Sequence, residues 1–351
     1  MALPSTTACD TATAFAATAR KTSFGYDTRH RLLTTTFGDG SAGTSRTYTL
    51  DGLPDTITSS GATWKYEYNK RRLSERESLA YGTSTYSIDR SYDANGSLAQ
   101  LRYPIDNLTV TYNPNALGEA RQVGGYATQI TYHPNGAVAG FRYGNGIRRT
   151  LHQNTRGLPL QSIDAGVLDE LYGYDANANV ESITDHVDGS ATRTMGYDGM
   201  DRLSTVAAPG LWGGVTYGYD ALDNLTLTAM TGGPNARTTV HTINPSTNRL
   251  DSISNGPAAF NFGFEYDVQG NITKRGNQVY RFDLANRMSQ ADGRATYRYD
   301  GLGRRFSVVG TDGVNRVHVY SQAGQLLYVA PTGAAGTKYI YLNNHQIAEV
   351  K

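Results

Sequence analysis

The stretch Tyr297-Arg298-Tyr299-Asp300-Gly301-Leu302-Gly303-Arg304-Arg305-Phe306 reads as a strand, a tight turn and a returning strand. Tyr297 and Tyr299 stand two residues apart and therefore share one face of an extended segment. The Asp300 carboxylate is placed to accept backbone N–H groups two or three residues on, closing an Asx-type turn. Gly303 falls where a short hairpin loop needs positive φ, which glycine reaches without steric cost. The chain then returns through Phe306 and Val308.

The same phrase recurs along the chain. Tyr92-Asp93-Ala94-Asn95-Gly96 and Tyr266-Asp267-Val268-Gln269-Gly270 are close copies, and Tyr26-Asp27, Tyr174-Asp175, Tyr197-Asp198 and Tyr219-Asp220 open others. Tyr132-His133-Pro134-Asn135-Gly136 keeps the frame without the aspartate. Where glycine is missing, Asp or Asn takes its place, as at Asp201, Asp223 and Asn286. These two residues tolerate the left-handed region better than other non-glycine residues. Anchors recur roughly every twenty residues, about one hairpin and its connection. The repeat makes Tyr26, Asp27, Tyr92, Asp93, Gly96, Tyr132, Gly136, Tyr174, Asp175, Tyr197, Asp198, Tyr219, Asp220, Tyr266, Asp267, Gly270, Tyr299, Asp300 and Gly303 the expected structural anchors.

Composition agrees with a sheet protein. The 351 residues carry 25 Tyr against 9 Phe and 2 Trp, and 39 Gly, which favours strands and turns with partly wetted faces. No apolar stretch recurs at a helical period, so no substantial helix is expected. A net charge of +1 argues against a dedicated nucleic-acid or anionic-membrane surface. No apolar run approaches the ~18 residues of a membrane span. The N-terminus lacks the basic-then-apolar pattern of a standard signal peptide. Cys9 is the sole cysteine, so no intrachain disulfide forms. Residues 1–22, rich in Ala and Thr, read as a tail, and 23–351 as the hairpin array.

Sites for chemistry are weak by comparison. Gly38-Asp39-Gly40-Ser41-Ala42-Gly43 matches G-x-G-x-x-G only as a string, since a strand follows where a helix should open, and it reads as a hairpin loop. Asp175, Asn177 and Asn179 imitate the start of a calcium loop, but Val180 stands at its glycine and His186 at its bidentate glutamate. The seven histidines show no metal-binding spacing, and no G-x-S-x-G nucleophile elbow occurs. No catalytic, cofactor or metal residue is assigned. Rows of tyrosines would suit stacking on glycans or on one another in cross-strand pairs, and their even spread favours the second.

The Tyr-Asp-x-x-Gly-Arg-Leu phrasing resembles the YD repeats of the Rhs family, which includes bacterial polymorphic toxins, shell-forming components of insecticidal toxin complexes and animal teneurins. The resemblance spans roughly residues 24–351 and is strongest from Tyr299 to Val350. It implies an all-β array of antiparallel hairpins forming a spiral, curved sheet or hollow shell. It further implies a wall around a toxin or other protein cargo, in a secreted or cell-surface protein of bacterial type, with no catalysis of its own. The alternative is a carbohydrate-binding repeat module. The family's self-cleavage segment carries an Asp-Pro dipeptide that this sequence lacks, so neither a self-protease nor a toxin domain is expected here. A strip of hairpins also leaves unpaired sheet edges, so self-association through them is expected.

Overall fold

The computed structural model describes residues 21–106, 108–234, 236–254 and 261–351. The Ala/Thr-rich stretch 1–20, Cys9 and Phe260 lie outside these residues. Among the described residues the fold is antiparallel β throughout, and the single departure is a 3-10 turn at Gly189–Ala191. Strand order follows sequence order. Nine strands, from Thr22–Tyr26 to Thr109–Thr111, make one sheet, and 22 strands, from Ala127–Tyr132 to His345–Val350, make a second.

Every tyrosine anchor ends a strand, and every anchored hairpin carries the same irregularity. Gly173 pairs with Ser182 but Tyr174 with Val180, leaving Glu181 unpaired. The same skip follows Gly25, Ser91, Gly196, Gly218, Glu265 and Arg298. One extra residue in the returning strand is a β-bulge, which strengthens local twist and fixes register. Because anchored turns occupy alternate connections, those of consecutive hairpins within each unit fall on one rim of its strands.

Two compact units divide the chain, one of residues 21–118 with 279–351 and the other of 119–278. In the first, strands from both ends of the chain bury a common core. Trp64, Tyr66, Leu79, Ile88 and Tyr103 come from the early strands, and Phe306, Val319, Leu327 and Ile340 from the late ones. Tyr81 meets Phe306 edge-on with ring centroids 4.9 Å apart, and Tyr86 meets Tyr328 at 6.2 Å. Tyr103 donates its hydroxyl to the Tyr339 carbonyl at 2.9 Å, and Lys338 pairs with Asp106 at 2.7 Å. In the second unit strands touch chiefly their sequence neighbours, and buried apolar residues are sparse: Val123, Ala127, Ile130, Phe141, Ala208 and Val215.

The Tyr299–Asp300 turn sits inside the first unit's core. Asp300 is 0% exposed. A Cβ on Gly301 would lie 2.3 Å from Ile57 Cγ2 and 3.0 Å from Thr44 Cγ2, so this position is glycine for lack of space. The glycine-rich loop at 38–43 is a hairpin loop that fastens onto the neighbouring turn: Leu284 N–H donates to Asp39 Oδ2 at 3.0 Å, and Arg287 to the Ala42 carbonyl at 3.2 Å. Gly301→Ala should therefore lower stability by about 1–3 kcal/mol, the range for overpacking a filled site. Urea unfolding measures this, and an unchanged midpoint would contradict the docked turn.

Candidate functional site: a repeated rim latch

Each aspartate of the repeat organises its turn in one way. Oδ1 accepts the backbone N–H groups two and four residues on, at 2.8–3.0 Å, in the turns of Asp27, Asp93, Asp175, Asp198, Asp220, Asp267, Asp283 and Asp300. The sequence expectation was two or three residues on. The third N–H donates instead to the aspartate's own carbonyl, as Gly96 does to Asp93 at 3.1 Å and Gly303 to Asp300 at 3.0 Å. That third residue carries the positive φ: 89° at Gly96, 94° at Gly270, 78° at Gly303, 59° at Asp201 and 64° at Asp223. Gly136 has φ 82° and donates to the His133 carbonyl, so the turn after Tyr132 keeps its shape without an aspartate.

In seven of these eight turns, all but that of Asp93, Oδ2 is held by the side chain four residues on. Arg31, Arg202, Arg287 and Arg304 donate through Nε at 2.7–2.8 Å, and Asn179, Asn224 and Asn271 through Nδ2 at 2.8–3.0 Å. These donors hold the carboxyls of Asp198, Asp175 and Asp220 below the ordinary carboxylate range, and the Arg31 backbone N–H does the same first for Asp27. Asp175, Asn177 and Asn179, the calcium-loop imitation, are joined to one another and to Asp201.

The tyrosines link one turn to the next. Each reaches back to a carbonyl just beyond the preceding turn, at or next to the start of the returning strand in every case but Tyr132, whose acceptor Ala120 lies outside the strands. Tyr48 donates to Leu32, Tyr92 to Ser74, Tyr132 to Ala120, Tyr174 to Pro159, Tyr197 to Val180, Tyr219 to Leu203, Tyr266 to Leu250 and Tyr299 to Met288, at 2.6–2.9 Å. Tyr26, in the first described hairpin, is 58% exposed. Arginines close the same gap from the other side. Arg202 lies 4.6 Å over the Tyr219 ring, donates to the Asp220 carbonyl at 3.2 Å and pairs with Asp223 at 2.7 Å. Arg304 reaches the Ser321 carbonyl at 2.6 Å and covers the rings of Trp64 and Tyr320. Where asparagine replaces arginine, it bonds to the next turn's positive-φ residue: Asn179 to Asp201 at 2.9 Å and Asn224 to Asn248 at 2.8 Å.

The anchors therefore do not stack on one another as the sequence reading expected. Tyr86 and Tyr328, neither of them an anchor, do meet ring to ring. Two features went unread in the sequence, the donor four residues after the aspartate and the acceptor role of Asp201, Asp223 and Asn248. The spacing Asp-x-x-x-Arg/Asn was the available signal.

No protein-family model matches this chain, and no curated protein matches it in sequence. Solved structures match it in fold. The crystal structure of TcdB2-TccC3 superposes with a TM-score of 0.66 at 14% identity, covering 91% of this chain and 22% of that one. TcdB2-TccC3 without its hypervariable C-terminal region gives 0.61 at 14% identity, over 91% and 21%. A Photorhabdus luminescens Tc holotoxin pore gives 0.58 at 14% identity, over 91% and 21%. The chain thus spans about a fifth of the length of the structures it matches.

The latch should behave as a coupled unit. Tyr219→Phe should lower stability by about 0.5–1.5 kcal/mol, the net value of one hydrogen bond. Combined with Arg202→Ala, the loss should fall short of the sum of the single losses, because the Arg202 guanidinium on the Tyr219 ring helps hold the hydroxyl on the Leu203 carbonyl. Strict additivity in a denaturant-unfolding cycle would contradict the latch. Acid should weaken the latches of Asp27, Asp175, Asp198, Asp220 and Asp267, whose carboxyls are held low. A carboxyl depressed in the folded state adds stability that is present above its unfolded pKa, near 4, and lost as pH falls through the folded value. Glu77, raised by burial, acts with the opposite sign, since protonation relieves its desolvation. Thermal midpoints should be flat or rise slightly from about pH 7 to about pH 5, then fall below about pH 4. A midpoint unchanged down to about pH 2.5 would contradict this.

Proposed function

We propose that this chain is a section of an Rhs-type, YD-repeat wall, built to enclose a protein toxin or other polypeptide cargo and doing no chemistry of its own. The observation that carries the reading is the rim latch. It joins hairpin to hairpin by an anchor tyrosine hydroxyl and by an arginine or asparagine of the preceding turn, so a sheet can be extended by repetition without a second layer beneath every strand. Fold likeness to the toxin-complex structures over 91% of the chain supports the same reading. Residues 23–351 then form one array, and the tyrosine, aspartate and glycine anchors carry architecture. The phenolic hydroxyls are engaged in latches, which favours a wall over an open tyrosine face for glycans. The setting that fits is a secreted bacterial toxin assembly, with unpaired edge strands at the ends of the section free to join further copies or further wall.

Electron cryomicroscopy of the purified chain, with light scattering at high concentration, tests this. The expected particle is a curved hairpin wall that associates edge to edge. A strictly monomeric, compact solid particle, or saturable glycan binding on an array that an anchor tyrosine variant abolishes, would overturn it.

A further inference from the structure

Two of the aspartate turns carry glycine directly after the aspartate, Asp198-Gly199 and Asp300-Gly301. The others place Thr28, Ala94, Ala176, Ala221, Val268 and Leu284 there. The backbone does not ask for glycine at this place, since neither Gly199 nor Gly301 has positive φ. Gly301 is explained by its seat, because Ile57 and Thr44 leave no room for a Cβ. Gly199 has no such reason: a Cβ there would meet nothing within 4 Å. The two turns agree beyond the glycine. Each continues with an apolar residue, Met200 or Leu302, then a positive-φ residue, then the arginine that holds the aspartate.

The seat of the Asp300 turn shows what such a turn fits. Branched side chains close on Gly301, Arg46 donates to its carbonyl, and the Trp64 indole N–H joins Arg304 on Asp300 Oδ2, at 2.9 Å. The Asp198 turn stands open at each of these points. Met200 is 59% exposed. Among the described residues no donor meets the Gly199 carbonyl, and Arg202 alone holds Asp198 Oδ2. A glycine that nothing in its own chain requires, in a copy of a turn that is glycine because it is docked, marks a docking turn without its seat.

The unit of residues 119–278 holds the groups of such a seat on its other rim. The chain has two tryptophans, and the second is Trp212. It is partly exposed, and among the described residues its indole N–H meets no acceptor. Its connection packs on the preceding one, Gly210 against Ser190. Together they expose Leu211 and Val187, branched apolar side chains of the kind that close on Gly301. The strand Leu203–Ala208 runs from the Asp198 turn to this connection. Its six residues span roughly 20 Å, so the turn and Trp212 of one chain lie at opposite rims and cannot meet. A second copy can bring them together.

We propose that the Asp198-Gly199-Met200 turn docks on the opposite rim of a second copy, against Leu211 and Val187, with Trp212 of that copy donating to Asp198 Oδ2 as Trp64 does to Asp300. The contact is heterologous: each copy keeps one free turn and one free Trp212 rim, so copies join head to tail. It uses the rims and leaves the edge strands out. Sedimentation velocity of the full chain over a concentration series, with cross-linking, tests this. The chain should associate, and Trp212→Phe, which keeps a ring and removes one hydrogen bond, should weaken association about tenfold. Gly199→Val should weaken it at least as much and leave the thermal midpoint unchanged, since Val268 holds the same place in the Asp267 turn. In a Cys9→Ser background, Met200→Cys and Leu211→Cys chains should be joined by a short bis-maleimide when mixed, and neither with itself. A strictly monomeric chain, association that neither variant changes, or cross-linking of either variant with itself would overturn the proposal. Association unchanged in both variants would still leave edge pairing, and with it the wall, intact.

Discussion

A hairpin array without a second layer must hold each hairpin to the next along the sheet itself, and here the aspartate carboxylate makes that possible. Its Oδ1 takes two backbone N–H groups and sets the turn, while its Oδ2 fixes the side chain four residues on. Only because that side chain is fixed can Arg202 lie on the Tyr219 ring and reach the Asp220 carbonyl. Charge-assisted bonds of this kind are about twice as strong as neutral ones, and a guanidinium held by a carboxylate loses less entropy on meeting its next partner. The tyrosine hydroxyl closes the same junction from the following repeat.

The two units use this rim differently. In residues 119–278 the latch stands largely alone, with few buried side chains behind it. In the other unit the turn of Asp300 is drawn into a core. Trp64 donates its indole N–H to Asp300 Oδ2 at 2.9 Å, and Arg304 covers the Trp64 ring at 4.9 Å. Arg46 adds a bond to the Gly301 carbonyl at 3.1 Å. The same turn motif thus serves as a rim fastening in one setting and as the polar centre of an apolar core in the other. Burial of the aspartate is tolerated because backbone, indole and guanidinium together surround it with donors.

The hairpins, their turns and their all-β character were legible because Tyr-Asp and a glycine three residues after the aspartate carry them locally, as at Tyr92-Asp93 and Tyr299-Asp300. The links between repeats were not. Nothing local to Tyr219 reveals that its hydroxyl will meet Leu203, because that contact depends on a bulge that sets the register sixteen residues away. Gly301 looked like one more turn glycine, yet its cause is Ile57, brought against it by packing across more than two hundred residues. Asp201 and Asp223 were understood as tolerating positive φ, and only the neighbouring turn shows that their carboxylates are also acceptors.

The central claim is that stability passes from hairpin to hairpin through the rim. Native-state hydrogen exchange on Asp220→Ala tests it most directly, because local opening is read strand by strand. The account predicts lost protection in Gly213–Tyr219 and Leu225–Thr231, a smaller loss in the flanking hairpins that Arg202 and Asn224 reach, and none around Trp64 and Asp300. Protection unchanged in the flanking hairpins, or lost equally throughout the chain, would contradict it.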